Sequence, residues 1–163
     1  MAVMKITEYP ARVLARVGEP VTKFDAELRR LCDDMFETMY AEEGVGLAAP
    51  QVGLSLRLFV MDCDGIKLVA ANPEIVAAEG EQAGDEGCLS VGKIHAPLNR
   101  AARVRLRAQD VRGEVFEQEA EGLAARCFRH ETDHCDGTLF IDRLTPLKRD
   151  MVKKKFQKLK KWG

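Results

Sequence analysis

Residues 127–137 read CFRHETDHCDG and contain His130 and His134, four positions apart, with Glu131 between them. On an α-helix, residues four positions apart lie on the same face, so two imidazoles at this spacing can bind one metal ion. A glutamate next to them is near enough to act as a general base on a water at that ion. A surface helix can carry the same five residues by chance, so the meaning of the pattern depends on the rest of the chain.

The apolar pattern around this stretch predicts a helix over 121–136. Leu123, Cys127, His130 and His134 follow one another at spacings of four, three and four, as residues on one helix face do. The two histidines therefore continue an apolar stripe, and we expect them to point into the protein. Two histidines need a third protein ligand from elsewhere in order to hold a catalytic metal.

The helix and its flanks offer no suitable third ligand. In metzincins the pattern continues to a third histidine, but Phe140 stands at that position here. Cys127 lies roughly 10 Å from His134 along a helix axis, and Cys135 points about a quarter-turn away. Metal–ligand bonds of about 2.0–2.3 Å do not allow that spread. The candidates that remain are Cys32, Cys63, Cys88, His95 and many carboxylates.

The rest of the chain predicts an α+β fold. Apolar residues recur at helical spacing over 24–44, where Asp25 is the predicted N-cap and Gly44 follows the helix. Residues 56–62, 66–76 and the alternating stretch RVRLRAQD at 103–110 read as strands, EVFEQEAEG follows a turn, and 146–162 form a last helix. We expect antiparallel or mixed sheets packed around the histidine helix, with N-terminal and C-terminal helices.

The composition predicts one cytosolic domain covering 1–163. No apolar run approaches the roughly 18 residues of a membrane span, and the start, MAVMKITEYP, lacks a secretory signal pattern. The five cysteines are odd in number and form no C-x-x-C pair, which indicates reduced thiols that are available as metal ligands. Residues 147–163 carry eight of the chain's 25 Lys and Arg and one of its 26 Asp and Glu. This basic C-terminal helix is suited to an anionic partner.

Three motifs in chain order resemble those of peptide deformylases. GVGLAAPQVG at 44–53, GDEGCLSVG at 84–92 and HETDH at 130–134 match the family's G-x-G-L-A-A-x-Q, E-G-C-L-S and H-E-x-D-H. The likeness continues through ANPEI at 71–75 and GTLFIDRLTPLKR at 137–149 and covers essentially the whole chain. The co-occurrence of three motifs is far more specific than any one of them.

The resemblance implies a metal site of three protein ligands with a water in the fourth position. The ligands implied are Cys88, His130 and His134. Such an open site is typical of catalytic metals, whereas a structural site is closed by a fourth side chain. The family's preferred metal is ferrous iron, with zinc, nickel and cobalt as substitutes, and the sequence does not distinguish between these divalent ions.

The same resemblance implies the reaction. Glu131 is expected to be the general base and acid, and the Gln51 amide and the Leu89 N–H are expected to stabilise the oxyanion. The substrate is expected to be the N-formyl-methionyl terminus of a nascent peptide, which releases formate. The residues expected to bind it are Gly44, Val45, Gly46, Leu123, Arg126 and Cys127.

The expected setting is the bacterial cytoplasm, where the protein is expected to be a monomer that contacts no membrane. Deformylases use the C-terminal helix for docking on the ribosome, and basic residues there suit ribosomal RNA phosphates. Two alternatives stay open. One is an H-E-x-x-H peptidase with a downstream carboxylate as third ligand, and the other is a deformylase-like binding protein with weak or no catalysis.

A few positions depart from the family pattern. Arg129 and Cys135 flank the histidines where Gln and Leu are usual, Gly92 stands for a common Pro, and Ala11 for a common acid. None of the four is an implied ligand, base or oxyanion donor, but neighbours of ligands help to orient them. Arg129 is expected to pair with a nearby acid.

Two further residues have expected roles outside the metal site. Arg100 matches a recurring family arginine, and we predict a salt bridge from it to Glu86. His95 follows the E-G-C-L-S motif, in a segment that forms part of the substrate rim in deformylases. We therefore predict a rim position for His95 and not a ligand role.

Overall fold

The computed structural model describes residues 3–92 and 94–162, so the outermost positions of the predicted domain, 1, 2 and 163, lie outside it. Its three α-helices are α1 (Ala26–Ala41), α2 (Gly122–Cys135) and α3 (Pro146–Trp162). Its strands are β1 (Gly46–Ala48), β2 (Leu58–Cys63), β3 (Ile66–Glu79), β4 (Asp85–Gly87), β5 (His95–Pro97), β6 (Arg103–Gln109) and β7 (Val115–Glu121). The predicted α+β class and the three predicted helices are confirmed. Asp25 caps α1, since its side chain accepts a hydrogen bond from the Leu28 N–H.

The strands form two antiparallel sheets. The larger has the order β1-β2-β3-β6-β7, and β4 pairs with β5 in a separate two-stranded sheet. Every pairing between these strands is antiparallel, so of the two arrangements expected from the sequence the antiparallel one is present. Helix α2 contacts β1, β2, β3, β6 and β7, so it packs against every strand of the larger sheet.

Strand β2 explains why the sheet is covered on both faces. Phe59 and Met61 belong to the apolar cluster that includes residues of α2, whereas Leu58 and Val60 belong to the cluster that includes residues of α1. Successive side chains of a strand point to opposite faces, so this almost wholly apolar strand is buried on both sides. Helix α2 is thereby fixed against one face of the larger sheet, and α1 covers the opposite face.

At the far end of the larger sheet, β6 and β7 form a hairpin with one solvent-exposed face. The side chains of β6 alternate between exposed and buried, as its sequence predicted. On the exposed face, three arginines of β6 pair with three glutamates of β7: Arg103 with Glu121, Arg105 with Glu119 and Arg107 with Glu117. We refer to these pairs as the β6–β7 ladder.

Helix α3 closes a third apolar cluster. Val152 and Phe156 are buried there with Cys88 and Val91, while Leu159 is half exposed. Among the described residues, no helix combines the length and the apolar character that crossing a bilayer requires.

Candidate active site

Helix α2 carries three of the residues expected to form the site. It follows β7 without a connecting loop, and Gly122, at a φ of 59°, makes the change of direction, which a residue with a Cβ adopts only with strain. His134 is fully buried and His130 and Glu131 are nearly so. Both histidines therefore point into the protein, as the apolar stripe predicted.

The third member of the cluster comes from the smaller sheet. Cys88 follows β4, and its Sγ lies 3.3 Å from the His134 Nε2. One ligand atom from each of Cys88, His130 and His134 lies within 4.8 Å of the other two, and all three residues are buried. No other group of three possible ligands converges in this way in the described part of the chain.

The electrostatics of this cluster fit a divalent cation. Burial alone would lower the pKa of His130, but the Glu131 carboxylate, the Cys88 thiol and the Glu86 carboxylate together raise it well above its usual value. The surroundings thus favour positive charge at this ring. Burial and the nearby His130 hold the pKa of His134 well below its usual value, and a neutral imidazole is the form that binds a metal. One thiolate and two imidazoles suit iron, zinc, nickel and cobalt alike.

Glu131, which lies beside the two histidines on α2, has a carboxylate oxygen that accepts no hydrogen bond from the described residues. Its carboxylate is buried, and the Oε1 atom has no hydrogen-bond partner among the described residues. Burial raises the pKa of Glu131 to about 7, which is suited to a group that accepts and returns a proton near neutral pH. A Cβ on Gly46 would come within 2.6 Å of the Glu131 Oε2 and 2.8 Å of the Cys127 Sγ. A larger residue at position 46 would therefore have to displace these two side chains.

Gln51 and Leu89 lie on two short 3-10 turns and line the same cleft as Cys88 and Glu131. The Oε1 of Gln51 accepts a hydrogen bond from the Ala48 N–H at 3.0 Å, and this contact fixes which end of the amide faces the site. Its Nε2 then lies 3.4 Å from the Cys88 Sγ and 3.4 Å from the Ser90 Oγ. Leu89 is the first residue of the turn Leu89–Val91, and the N–H of a first residue has no partner inside its own turn.

Glu86 is the residue whose importance the sequence analysis missed. Its Oε2 lies 2.7 Å from the His130 Nδ1 and 2.6 Å from the Arg100 Nη2, and its Oε1 accepts from the Arg100 Nε at 2.9 Å and from the Arg126 Nη1 at 3.0 Å. Burial alone would raise the pKa of Glu86, but hydrogen bonds from Arg100 and His130 hold it far below its usual range. The predicted Arg100–Glu86 salt bridge is confirmed. The contact with His130 could have been anticipated, because alternate residues of a strand share a face and Glu86 lies two positions before Cys88.

A cleft of about 330 Å³ opens over this group. All six residues expected to bind substrate line it: Gly44, Val45, Gly46, Leu123, Arg126 and Cys127. Val45 and Leu123 are about half exposed there, whereas Cys127 is buried. The Arg126 guanidinium is also buried and binds Glu86 and the Leu98 carbonyl, so it supports the wall of the cleft. His95 is exposed and lines the cleft, which confirms its predicted position at the rim.

The remaining candidates from the sequence lie apart from the cluster. Cys32, Cys63 and Cys135 are buried free thiols and are not among the three grouped side chains. Burial raises the pKa of Cys32 and of Cys135 to about 12, so neither offers a thiolate near neutral pH. The acid expected beside Arg129 is not found, since none of the ion pairs within 3–92 and 94–162 includes this residue.

Comparisons with known proteins point to one family. The sequence model of the polypeptide deformylase family matches residues 3–150. The peptide deformylase of Acidobacterium capsulatum is 48% identical over all of this chain and 99% of its own length. The crystal structure of a peptide deformylase from Legionella pneumophila is 47% identical, has a TM-score of 0.94, and covers 98% of this chain and 96% of its own. The deformylase of Ehrlichia chaffeensis in complex with actinonin is 38% identical, with a TM-score of 0.89 over 97% of this chain and 98% of that one. By sequence and by fold, this chain belongs to the peptide deformylase family.

Proposed function

We propose that the residues of this cleft carry out the family reaction, hydrolysis of the N-formyl group of a formyl-methionyl peptide. As a peptide deformylase, the chain is a metal-dependent hydrolase that acts on formylated nascent peptides and releases formate. The observation that carries the residue assignment is the convergence of Cys88, His130 and His134 beside the partly unsatisfied carboxylate of Glu131. The ligands proposed for the metal ion are these three side chains.

A metal ion held there would act as a Lewis acid, polarising the formyl carbonyl and lowering the pKa of the attacking water. Glu131 accepts the proton of that water. The Nε2 group of Gln51 and the N–H of Leu89 donate hydrogen bonds to the carbonyl oxygen as its charge develops. Glu131 then returns the proton to the leaving nitrogen, which frees the amino terminus. The substrate backbone is proposed to lie along 44–46, with the methionine side chain against Leu123 and Cys127.

The test of these roles is formate release from formyl-Met-Ala-Ser. We expect Glu131→Gln to lower kcat by about 10²–10⁴ and Gln51→Ala to lower it by about 10²–10³, with both proteins still folded. Cys88→Ser is expected to lose bound metal together with activity. Glu119→Gln, an exposed carboxylate of the β6–β7 ladder, is the control and should leave kcat unchanged. A Glu131→Gln protein with wild-type turnover would remove Glu131 from the mechanism.

Neither alternative from the sequence gains support. A peptidase of the H-E-x-x-H type would take a downstream carboxylate as its third ligand, whereas a cysteine joins the two histidines here. A silent binding protein would need a ligand, base or oxyanion donor to be lost, and all of these residue types are retained. Cleavage of an internal peptide bond, or metal binding without formate release, would revive one or the other.

We propose Fe²⁺ as the native metal, with Zn²⁺, Ni²⁺ or Co²⁺ as substitutes. A thiolate–imidazole site accepts all four, and iron would make the site sensitive to air through oxidation of the metal and Cys88. Purification without oxygen, followed by metal analysis and formate release before and after exposure to air, tests this. Full activity in air with zinc as the only metal would contradict the proposal.

We further propose that the protein acts as a monomer in the bacterial cytoplasm and that α3 docks on the ribosome. Lys154, Lys155 and Lys158 are exposed on α3, while Val152 and Phe156 are buried against the body of the protein. Deleting α3 would disturb that packing, so reversing the charge of the three lysines is the cleaner test. Ribosome co-sedimentation should weaken, and its dependence on salt should become shallower. Charge reversal at the exposed Arg29 and Arg30 of α1 is the control, and equal losses in both variants would contradict specific docking.

A further inference from the structure

A chain of four contacts leads from the protein surface to His130. Arg143 holds both oxygens of Asp133, from Nε at 2.6 Å and from Nη2 at 2.7 Å. The Asp133 Oδ2 lies 2.8 Å from the Arg100 Nη1, and the Arg100 Nη2 lies 2.6 Å from the Glu86 Oε2. That same Glu86 oxygen lies 2.7 Å from the His130 Nδ1. Each contact is short and includes at least one charged group, which makes it stronger than a hydrogen bond between neutral groups.

Burial makes the members of this chain depend on one another. The side chains of Asp133, Arg100 and Glu86 are each at most 6% exposed, whereas that of Arg143 is 41% exposed. In a medium of low dielectric, a charged group is held where its partners are, because the alternative is an unpaired buried charge. Arg143 is therefore the outer end of a chain whose three inner members are enclosed.

The position of Arg143 is itself fixed from two directions. It ends the 3-10 turn Phe140–Arg143, and the Phe140 ring lies 6.3 Å from the His130 ring. Arg149 donates to two carbonyl groups of this turn, those of Ile141 and Asp142. The turn is thus anchored next to His130 at one end and on α3 at the other.

Arg143 is reached from a different side of the molecule than the substrate. It lines a second cavity of about 490 Å³, together with Arg57, Arg129 and Asp136 among others. None of the residues lining this cavity also lines the substrate cleft. Arg143 therefore does not touch the substrate, and any effect it has on the reaction reaches the site through the protein.

We propose that Arg143 is a positioning residue for His130. By holding Asp133 in its forked contact, Arg143 fixes Arg100, which fixes Glu86, which fixes the orientation of the imidazole that faces Cys88 and His134. This inference rests on the proposed role of His130 as a metal ligand. Groups behind a metal-binding histidine set its ring orientation, and their loss typically lowers metal affinity by about 10–100-fold.

The alternative is that the positive charge of Arg143 acts on the site directly, without the chain of contacts. Substitution of Arg129 distinguishes the two explanations. Arg129 lines the same cavity and is adjacent to His130 in the sequence, but it takes part in none of the chain's contacts. Arg129→Gln removes the same charge close to the metal ligands without breaking the chain. Arg143→Lys keeps the charge of Arg143 but loses the planar fork that holds two oxygens at once.

The experiment uses the full chain loaded with Co²⁺. It measures the rate of Co²⁺ release to a chelator, the visible absorption spectrum of the bound ion, and kcat and KM for formyl-Met-Ala-Ser. We expect Arg143→Gln to release Co²⁺ about tenfold faster, to shift the spectrum and to lower kcat while KM stays unchanged. Arg143→Lys should be intermediate, and Arg129→Gln should match the wild type.

Two other results would overturn the inference. If Arg143→Gln releases Co²⁺ at the wild-type rate, or if Arg129→Gln releases it as fast as Arg143→Gln, Arg143 does not position His130. A failure of the ligand assignment looks different, because His130→Ala would then keep Co²⁺ as firmly as the wild type does. The unfolding free energy of each metal-free variant, measured alongside, identifies any that lose Co²⁺ only because they are partly unfolded.

Discussion

Arginine–carboxylate pairs occur in two very different settings in this molecule. In the first, which we call the Glu86 cluster, Glu86, Arg100, Arg126, His130 and Asp133 are all at least nine-tenths buried. The second is the β6–β7 ladder, whose side chains are about 40–70% exposed. Contact distances are similar in the two, from 2.6 to 3.0 Å. What separates them is solvent, and solvent decides how much each contact matters.

In the ladder, each charge stays in contact with solvent, and some of the charges have a second partner that could replace a lost one. Arg105, for example, lies 2.6 Å from Glu119 and 3.8 Å from Glu117. Exposed pairs of this kind contribute little to stability. In the Glu86 cluster, one carboxylate serves two guanidiniums and one imidazole, so its removal leaves charges that water does not reach. The ladder covers the solvent-exposed face of the hairpin with charges, and the Glu86 cluster holds the His130 imidazole in place.

Removing Glu86 should therefore have the largest effect. Glu86→Ala leaves Arg100 and Arg126 buried without their shared carboxylate, and we expect a loss of about 3–5 kcal/mol in the free energy of unfolding. Urea unfolding of the metal-free protein measures it. Glu117→Ala, which breaks an exposed pair of the ladder, is the control and should lose no more than about 1 kcal/mol. Similar losses in the two variants would mean that burial does not distinguish the regions.

Replacing Arg100 by lysine should have the next largest effect. Arg100 uses three nitrogens to reach Glu86 and Asp133 on two different elements, and a single ammonium group has no comparable fork. We expect Arg100→Lys to lower the free energy of unfolding by about 2 kcal/mol, the value of a hydrogen bond to a charged group. Arg107→Lys keeps its charge in solvent and should stay within about 0.5 kcal/mol of the wild type. If both substitutions are equally mild, the geometry of the fork is unimportant.

Replacing Arg126 should lower the free energy of unfolding less than replacing Arg100 does, although both arginines belong to the Glu86 cluster. It contributes one contact to Glu86 and one to the Leu98 carbonyl, while its Nη2 is buried without a partner. Arg126→Leu loses two hydrogen bonds but also removes that unsatisfied donor, so we expect a loss of about 1 kcal/mol. Chemical unfolding checks it, and a loss as large as that of Glu86→Ala would show that Glu86 depends on Arg126 more than on Arg100.

The features that could be predicted from the sequence are those that depend on local periodicity. The alternation of apolar residues and arginines in β6 predicted its wet and dry faces, because a strand's period of two is local. The spacing of His130 and His134 placed both on the buried face of α2 for the same kind of reason. The proposed third ligand was different. Spacing left Cys32, Cys63, Cys88, His95 and many carboxylates open, and only the family motifs pointed to Cys88.

Contacts between elements that are distant in the sequence could not be predicted from local residue patterns. Asp133 lies between His130 and His134 in the motif, yet nothing local shows that it holds Arg143, which lies ten positions later, and Arg100, thirty-three positions earlier. Arg129 shows the converse. Its neighbourhood in the sequence suggested an ion pair, but the ion pairs of the described residues involve Arg57 and Arg143 at that surface and not Arg129. Which arginine finds which carboxylate is decided by the packing of α2 against the sheet and against the turn Phe140–Arg143.

Substitutions in the β6–β7 ladder should change the free energy of unfolding least. The dependence of that change on salt is the most direct test of the difference between the ladder and the Glu86 cluster. Arg107→Ala should lower the free energy of unfolding by less than about 1 kcal/mol in 0.1 M salt. In 1 M salt the Debye length falls from about 10 Å to about 3 Å, so the cost of Arg107→Ala should shrink toward zero. The cost of Glu86→Ala should persist, since its partners are buried and screened much less. Urea unfolding of wild type and both variants at the two salt concentrations measures this. Equal sensitivity to salt in the two variants would contradict the view that solvent separates the regions.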